Sequence, residues 1–360
     1  MGQSEEGARA AAVSVPYGAA ELRGSGAMRQ VRQNEQSREK PWTGEPRHGK
    51  PRRKGKPRRK GKSRKGTLAA GVLSTTIVAT TIVSGCSFDG DNWGGSGAHG
   101  QQPELGPPAR ALREYADDLR ARQAARAAAA KRWGLKRTPL VAPPAPAVKP
   151  RLTTRKGFGV KGQAKLPPVF TTIPTKHKVV FLTVDDGAEK SPAFLRMMSD
   201  LQIPYTAFLS DYLVREDYGY FKQMQDRGVV LNNHTLNHRY MPGLSYKKQR
   251  REICGMQDTI EKRYGKRPEL FRPPYGNYNR NTLRAAKSCG IKAVPLWASE
   301  GFADHMEWRE WDKDLHRGDI ILTHFRGRED WNGTMTDMVR TVLKKVTAKG
   351  YAVARLEDYL

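Results

Sequence analysis

The sequence predicts an α/β domain built on a parallel sheet in the C-terminal half of the chain, and two observations carry that prediction. From about Lys176 onward, short apolar runs of strand length alternate with segments of helical spacing, and repeated β–α units imply parallel strands. The residues richest in chemistry all fall just after the strands, where α/β barrels and open α/β sheets both place their sites. The stretch 176–360 is about 185 residues long, enough to bury most of an apolar interior.

In chain order, 179–184 is a continuous apolar run expected as the first strand. A helix over 192–201, a strand over 205–209, a helix over 218–227 and a strand over 229–231 come next. Ser245 is the expected N-cap of a helix reaching Lys262, and Leu270-Phe271 leads into a Pro-Pro turn. The segment 279–289 reads as a helix stopped by Gly290, and 292–297 as a strand. The last elements expected are a strand at 319–323, a helix at 334–348 and a strand at 351–354.

Upstream of this domain the composition changes. The formal net charge is +28, but its location matters more than its size. Roughly +12 lies before Gly66, roughly +10 between Ser87 and Lys176, and only about +6 in the C-terminal domain. A folded part so nearly balanced argues against a nucleic-acid-binding protein and puts the basic excess in tails. Residues 1–66 read as a disordered basic leader, densest in the tandem hexapeptide Gly-Lys-Pro-Arg-Arg-Lys over 49–60. Residues 67–85 contain no charge, and a basic flank before an apolar run is an export signature that places the remainder of the chain outside the cytoplasm. The run ends in Val83-Ser84-Gly85-Cys86, which is similar to the lipobox of bacterial lipoproteins and implies lipidation of Cys86. An uncleaved single helix would give the same membrane-anchored topology. Residues 86–175 read as a Gly/Ser tether, a solvated spacer helix over 109–132 and an extended Pro-rich linker. Cys254 and Cys289 remain as an even pair in an oxidising compartment, with a disulfide and two buried thiols both open.

The chemistry lies in four blocks. Thr183-Val184-Asp185-Asp186-Gly187 puts two carboxylates at a strand end, with Gly187 to turn the chain. His234-Thr235-Leu236-Asn237-His238 supplies two imidazoles one helical turn apart or on a tight loop. One carboxylate and two imidazoles make a three-ligand metal site with an open position, as in catalytic zinc centres, and leave the second carboxylate as a base. Arg272-Pro273-Pro274-Tyr275-Gly276 is rigid because its prolines fix φ, and rigid placement suits an arginine holding a catalytic carboxylate through two parallel hydrogen bonds. Leu322-Thr323-His324 closes a strand with a third histidine, whose natural role is general acid.

In these blocks and their order, 176–360 resembles the polysaccharide deacetylases, carbohydrate esterase family 4, with the NodB homology domain. The resemblance implies a distorted (β/α) barrel, a divalent ion such as zinc, and hydrolysis of acetyl groups on sugars. It implies Asp185 as base, Asp186, His234 and His238 as metal ligands, Arg272 orienting Asp185, Tyr275 lending its amide to an oxyanion, and His324 as acid. Trp297 matches the family's remaining motif, but an aspartate three residues later is here Glu300, expected to pair with His324 in altered geometry, with Asp304 as rival. Trp297 and Leu322 are expected at the substrate pocket. The family's usual phenylalanine in the first block is Val184, and His305 and His316 read as ordinary surface residues. The expected partner is an N-acetylated polysaccharide, peptidoglycan or chitin-like, attacked by a monomer anchored at the cell envelope.

Overall fold

The computed structural model describes residues 107–360, so the leader, the apolar run and Cys86 lie outside the described residues. At its centre is β2 (Val179–Asp186), buried along its whole length. Side chains alternate between the faces of a strand, and here the alternation separates two packing layers. Val180, Leu182 and Val184 join a cluster with Phe194 and Met197 of α2 (Pro192–Asp200) and with Val339 and Val342 of α7 (Met335–Ala348). Val179 and Phe181 join a second cluster with Phe208, Trp297, Ile320 and Leu322, inside the ring of strands.

Parallel pairing builds that ring. β2 pairs with β3 (Thr206–Leu209), with β8 (Ile320–His324) and, at its start, with β9 (Ala352–Ala354). β3 pairs with β4 (Val230–Asn233), the two being joined through α3 (Asp211–Val214) and α4 (Tyr218–Asp226), and β8 pairs with β6 (Ser299–Gly301). Single parallel bridges close the circle, from Asn233 to Phe271 and from Leu270 to Ala293, after which the chain runs through β5 (Val294–Pro295) into β6. The barrel is distorted on this side because Pro273, Pro274 and Pro295 have no N–H to donate, so full ladders cannot form. β7 (Met306–Trp308) returns antiparallel on β6.

The fold starts upstream of the boundary expected at Lys176. β1 (Val169–Phe170) pairs with β5, and Val169 and Ile173 are fully buried. The spacer helix, α1 (Pro107–Arg132), is solvated only in its first part. Its last turns dock on the domain: Ala129 and Ala130 are buried, Arg126 donates to the carbonyls of Leu201 and Pro139, and Trp133 just beyond donates to Asp200. α5 (Tyr246–Tyr264) is capped by Ser245 as expected, α6 (Arg280–Ser288) by Asn279 in a capping box, and the Cys254–Cys289 disulfide ties the two helices together. Among the described residues no helix is long and apolar enough to cross a membrane.

Candidate active site

Adjacent residues of a strand face opposite ways, so Asp185 and Asp186 can serve one site only if the strand end departs from regular geometry. It does so at Asp186, whose φ is 82°, and the next residue, Gly187, has φ 101°. A Cβ on Gly187 would collide with the side chains of Val214 and Phe221, so glycine is required there for space as well as for φ. Thr235, His238 and Tyr275 also have positive φ, so four of the six described non-glycine residues in this region of backbone space crowd around one site. Such conformations cost of order 1–3 kcal/mol each and persist where packing over-determines them.

Asp186, at the end of β2, and His234 and His238, on a loop after β4 rather than on a helix, bring their ligand atoms together. Asp186 Oδ1 lies 3.5 Å from His234 Nε2 and 3.3 Å from His238 Nε2, and the two nitrogens are 3.2 Å apart. Ligands about 2.0–2.1 Å from a tetrahedral zinc would be about 3.3–3.4 Å apart, so the triangle has the size such an ion needs. Asp186 Oδ1 is buried without a hydrogen-bond partner, which a cation would supply. His234 Nδ1 lies 2.6 Å from the Arg272 carbonyl and must donate to it, leaving Nε2 with its lone pair toward the triangle. Burial, reinforced by neighbouring positive groups, holds His238 down at about 3 against the pull of Asp186, so this imidazole also keeps its lone pair. Burial works against the Asp186 charge, but the groups around it, Arg326 foremost, keep the carboxyl well below the usual range.

Asp185 stands beside this triangle, its Oδ2 3.7 Å from His234 Nε2. Arg272 is completely buried, and its Nη1 donates to Asp185 Oδ1 at 2.7 Å and to Thr183 Oγ1 at 2.8 Å. The expected pair of parallel bonds to one carboxylate is therefore replaced by a fork shared with Thr183. Arg272 Nε donates to the Pro295 carbonyl, and the guanidinium lies 4.3 Å from the Phe208 ring centroid. Burial raises the Asp185 carboxyl above its ordinary range despite Arg272.

The β2–β8 register sets His324 beside Asp185. His324 Nδ1 is 3.1 Å from Glu300 Oε1, so the longer side chain at this position still reaches the histidine. Asp304 pairs instead with His305. Burial alone would lower His324, and the carboxylates of Glu300, Asp186 and Asp185 outweigh it and raise it above 6.5. The Tyr275 ring packs on His238, with centroids 4.7 Å apart. Trp297 and Leu322, expected at the substrate pocket, are 6% and 1% exposed and pack in the second core cluster. His305 stacks on Phe302, and His316 bridges Asp312 and Asp319.

The sequence reading missed Arg326, whose Nη2 donates to Asp186 Oδ2 at 2.6 Å, and Thr183, which shares Arg272. Arg326 carries no signal among 64 lysines and arginines. Thr183 was legible only as a polar residue inside an apolar run.

Residues 172–294 match the family model for polysaccharide deacetylase. An uncharacterized protein of Streptomyces coelicolor is 40% identical over 197 residues, spanning 54% of this chain and 78% of that protein. The chain belongs to the polysaccharide deacetylase family. Another relative is a peptidoglycan-N-acetylglucosamine deacetylase of Bacillus cereus, 28% identical and covering 52% of this chain and 91% of that one. Among solved structures, a family 4 carbohydrate esterase from Bacillus anthracis has a TM-score of 0.44 at 24% identity, over 53% of this chain and 86% of that one. The family is one of metal-dependent hydrolases, and among the described residues the Asp186, His234 and His238 triangle is the group that can hold the ion.

Proposed function

We propose that this protein removes N-acetyl groups from a polysaccharide containing N-acetylglucosamine, with peptidoglycan as the first substrate and zinc as the metal. The observation that carries the reading is two separately anchored acid–base groups beside one metal-ligand triangle: Asp185 fixed by Arg272, and His324 fixed by Glu300. When held by Asp186, His234 and His238, a divalent cation supplies Lewis acidity toward the acetyl carbonyl and the attacking water. Asp185 accepts the proton of that water, its raised affinity for protons suiting it to the task. Tyr275, held with φ 60°, offers its backbone N–H to the developing oxyanion. His324, whose hold on a proton Glu300 strengthens, delivers a proton to the departing sugar amine. Acetate and a glucosamine unit are the products. Named activities of relatives support the substrate class, including peptidoglycan deacetylases of Bacillus cereus and Bacillus subtilis.

The test is acetate release from peptidoglycan and from chitooligosaccharides by the full-length chain, metal-stripped and zinc-restored, with Asp185→Asn and His234→Ala alongside. Zinc-dependent release that disappears in both variants supports the reading. Release from O-acetylated xylan alone would make the protein an esterase, and no release from any polymer with zinc bound would make it a wall-binding relative without activity. The basic leader, the apolar run and Cys86 support a further proposal, that the protein is exported and anchored by lipid. Incorporation of labelled fatty acid that survives Cys86→Ala would overturn it.

A further inference from the structure

Arg326 leaves β8 two residues beyond His324, and its Nη2 donates to Oδ2 of Asp186 at 2.6 Å. The other oxygen of that carboxylate, Oδ1, is the one that faces both imidazoles. The terminal torsion of an aspartate is broad, so an untethered carboxyl would turn and could offer a cation either oxygen or both. We propose that Arg326 is the positioning residue of the metal centre, tying down Oδ2 so that Asp186 presents a single aimed oxygen. The inference rests on the reading of Asp186, His234 and His238 as metal ligands.

The loop that carries Arg326 is itself held in place. Phe325 N–H donates to the Asp185 carbonyl, Arg326 N–H to the His324 carbonyl, and the N–H groups of Asp330 and Trp331 to the Gly327 carbonyl, which folds the loop back on itself. Asp330 Oδ2 stands 4.0 Å from Arg326 Nη1 and offsets part of its charge. Nη1 is buried without a hydrogen-bond partner among the described residues, so the side chain's strong contact is the one to Asp186. Neither the base, the acid nor the arginine of the Pro-Pro turn performs this task. Arg272 serves Asp185, the neighbouring carboxylate.

Two effects of Arg326 oppose each other. Its charge repels a cation in the triangle, and its hydrogen bond aims the ligand toward one. Neutralising it by Arg326→Gln separates them: charge alone would tighten metal binding, and loss of aim would weaken it. Removing an outer-shell partner of a metal ligand typically costs 10–100-fold in affinity, and that is the expected result here.

The experiment is a competition titration of zinc between a chromophoric chelator and the metal-stripped full-length chain, with the visible absorption of bound cobalt(II) as a second readout. Arg326→Gln is expected to weaken zinc by about 10–100-fold. It is also expected to weaken the cobalt bands, as Asp186 turns to offer two oxygens and the coordination number rises. Arg326→Lys keeps the charge without the planar fork, and is expected to lose at least about tenfold as well. Zinc affinity unchanged or tightened in either variant, with the near-ultraviolet circular dichroism of the parent, overturns the proposal. If Arg326→Gln does not fold, the lysine variant alone decides. A parent chain that binds no zinc overturns the metal-centre reading and this inference together, whereas a parent that binds and variants that match it overturn only this one.

Discussion

Replacing Arg272 by methionine would remove the buried cation that Asp185 depends on, and the structure fixes the size of the effect. Arg272 is 0% exposed and Asp185 2%, so neither can turn to water when its partner is lost. Breaking a buried pair from one side costs about 3–5 kcal/mol. The Pro295 carbonyl and the Thr183 hydroxyl also lose the Arg272 donor, adding about 1 kcal/mol. Asp185→Asn keeps the volume but strands the guanidinium, at a comparable cost of about 3–5 kcal/mol. The double variant leaves neither member of this pair charged. Its destabilisation should therefore fall short of the sum of the single ones by about 2–3 kcal/mol, the size of coupling seen between residues in direct contact. Urea unfolding of the metal-stripped, disulfide-intact protein measures each term, since bound metal would add its own stabilisation. Single costs that add to within about 0.5 kcal/mol would refute the claim that these two groups form one buried pair.

The same structure sets four further outcomes. Glu300→Gln should move the alkaline limb of the kcat/KM profile to lower pH: burial pulls His324 down, Glu300 holds it up, and the protonated acid is lost at lower pH once that charge is gone. Asp304→Asn should leave the limb in place, and a limb that moves there instead would transfer the role to Asp304. His238→Ala should empty the metal centre, measured as bound zinc per chain by elemental analysis; parental zinc content would remove His238 from the ligand set. Replacing both cysteines of the 254–289 bridge by alanine should cost about 3–4 kcal/mol in urea, from the chain entropy regained across its 35-residue separation. His316 should titrate above 6.5 by proton NMR, because Asp319 and Asp312 outweigh its burial, and should fall in Asp312→Asn. Its folded value is raised, so the stability it contributes is present below the unfolded value and is lost as pH rises through the folded one.

Much of the site could be read without coordinates, because its residues occur in short blocks whose chemistry is local. Asp185 with Asp186, His234 with His238, and His324 each close or follow a strand that is apolar enough to recognise from composition, and parallel strands bring their C-terminal ends to one face. The β–α alternation similarly made the fold class legible. β1, the β6–β7 hairpin and the single bridges that close the barrel were not, since two- and three-residue pairings leave no periodicity in a sequence. The docking of the last turns of α1 was hidden for a related reason: alanines that read as a solvated helix become buried only when α2 lies against them.

Donor types, their order along the chain and the segments that carry them are all written in the linear sequence. Three-dimensional packing alone chose which oxygen of Asp186 meets the imidazoles, that Glu300 and not Asp304 reaches His324, that Arg272 divides its fork between Asp185 and Thr183, and that Arg326 holds the metal-ligand carboxylate. Those choices turn on left-handed backbone at single residues and on strand register, and both are fixed by contacts among residues far apart in the chain.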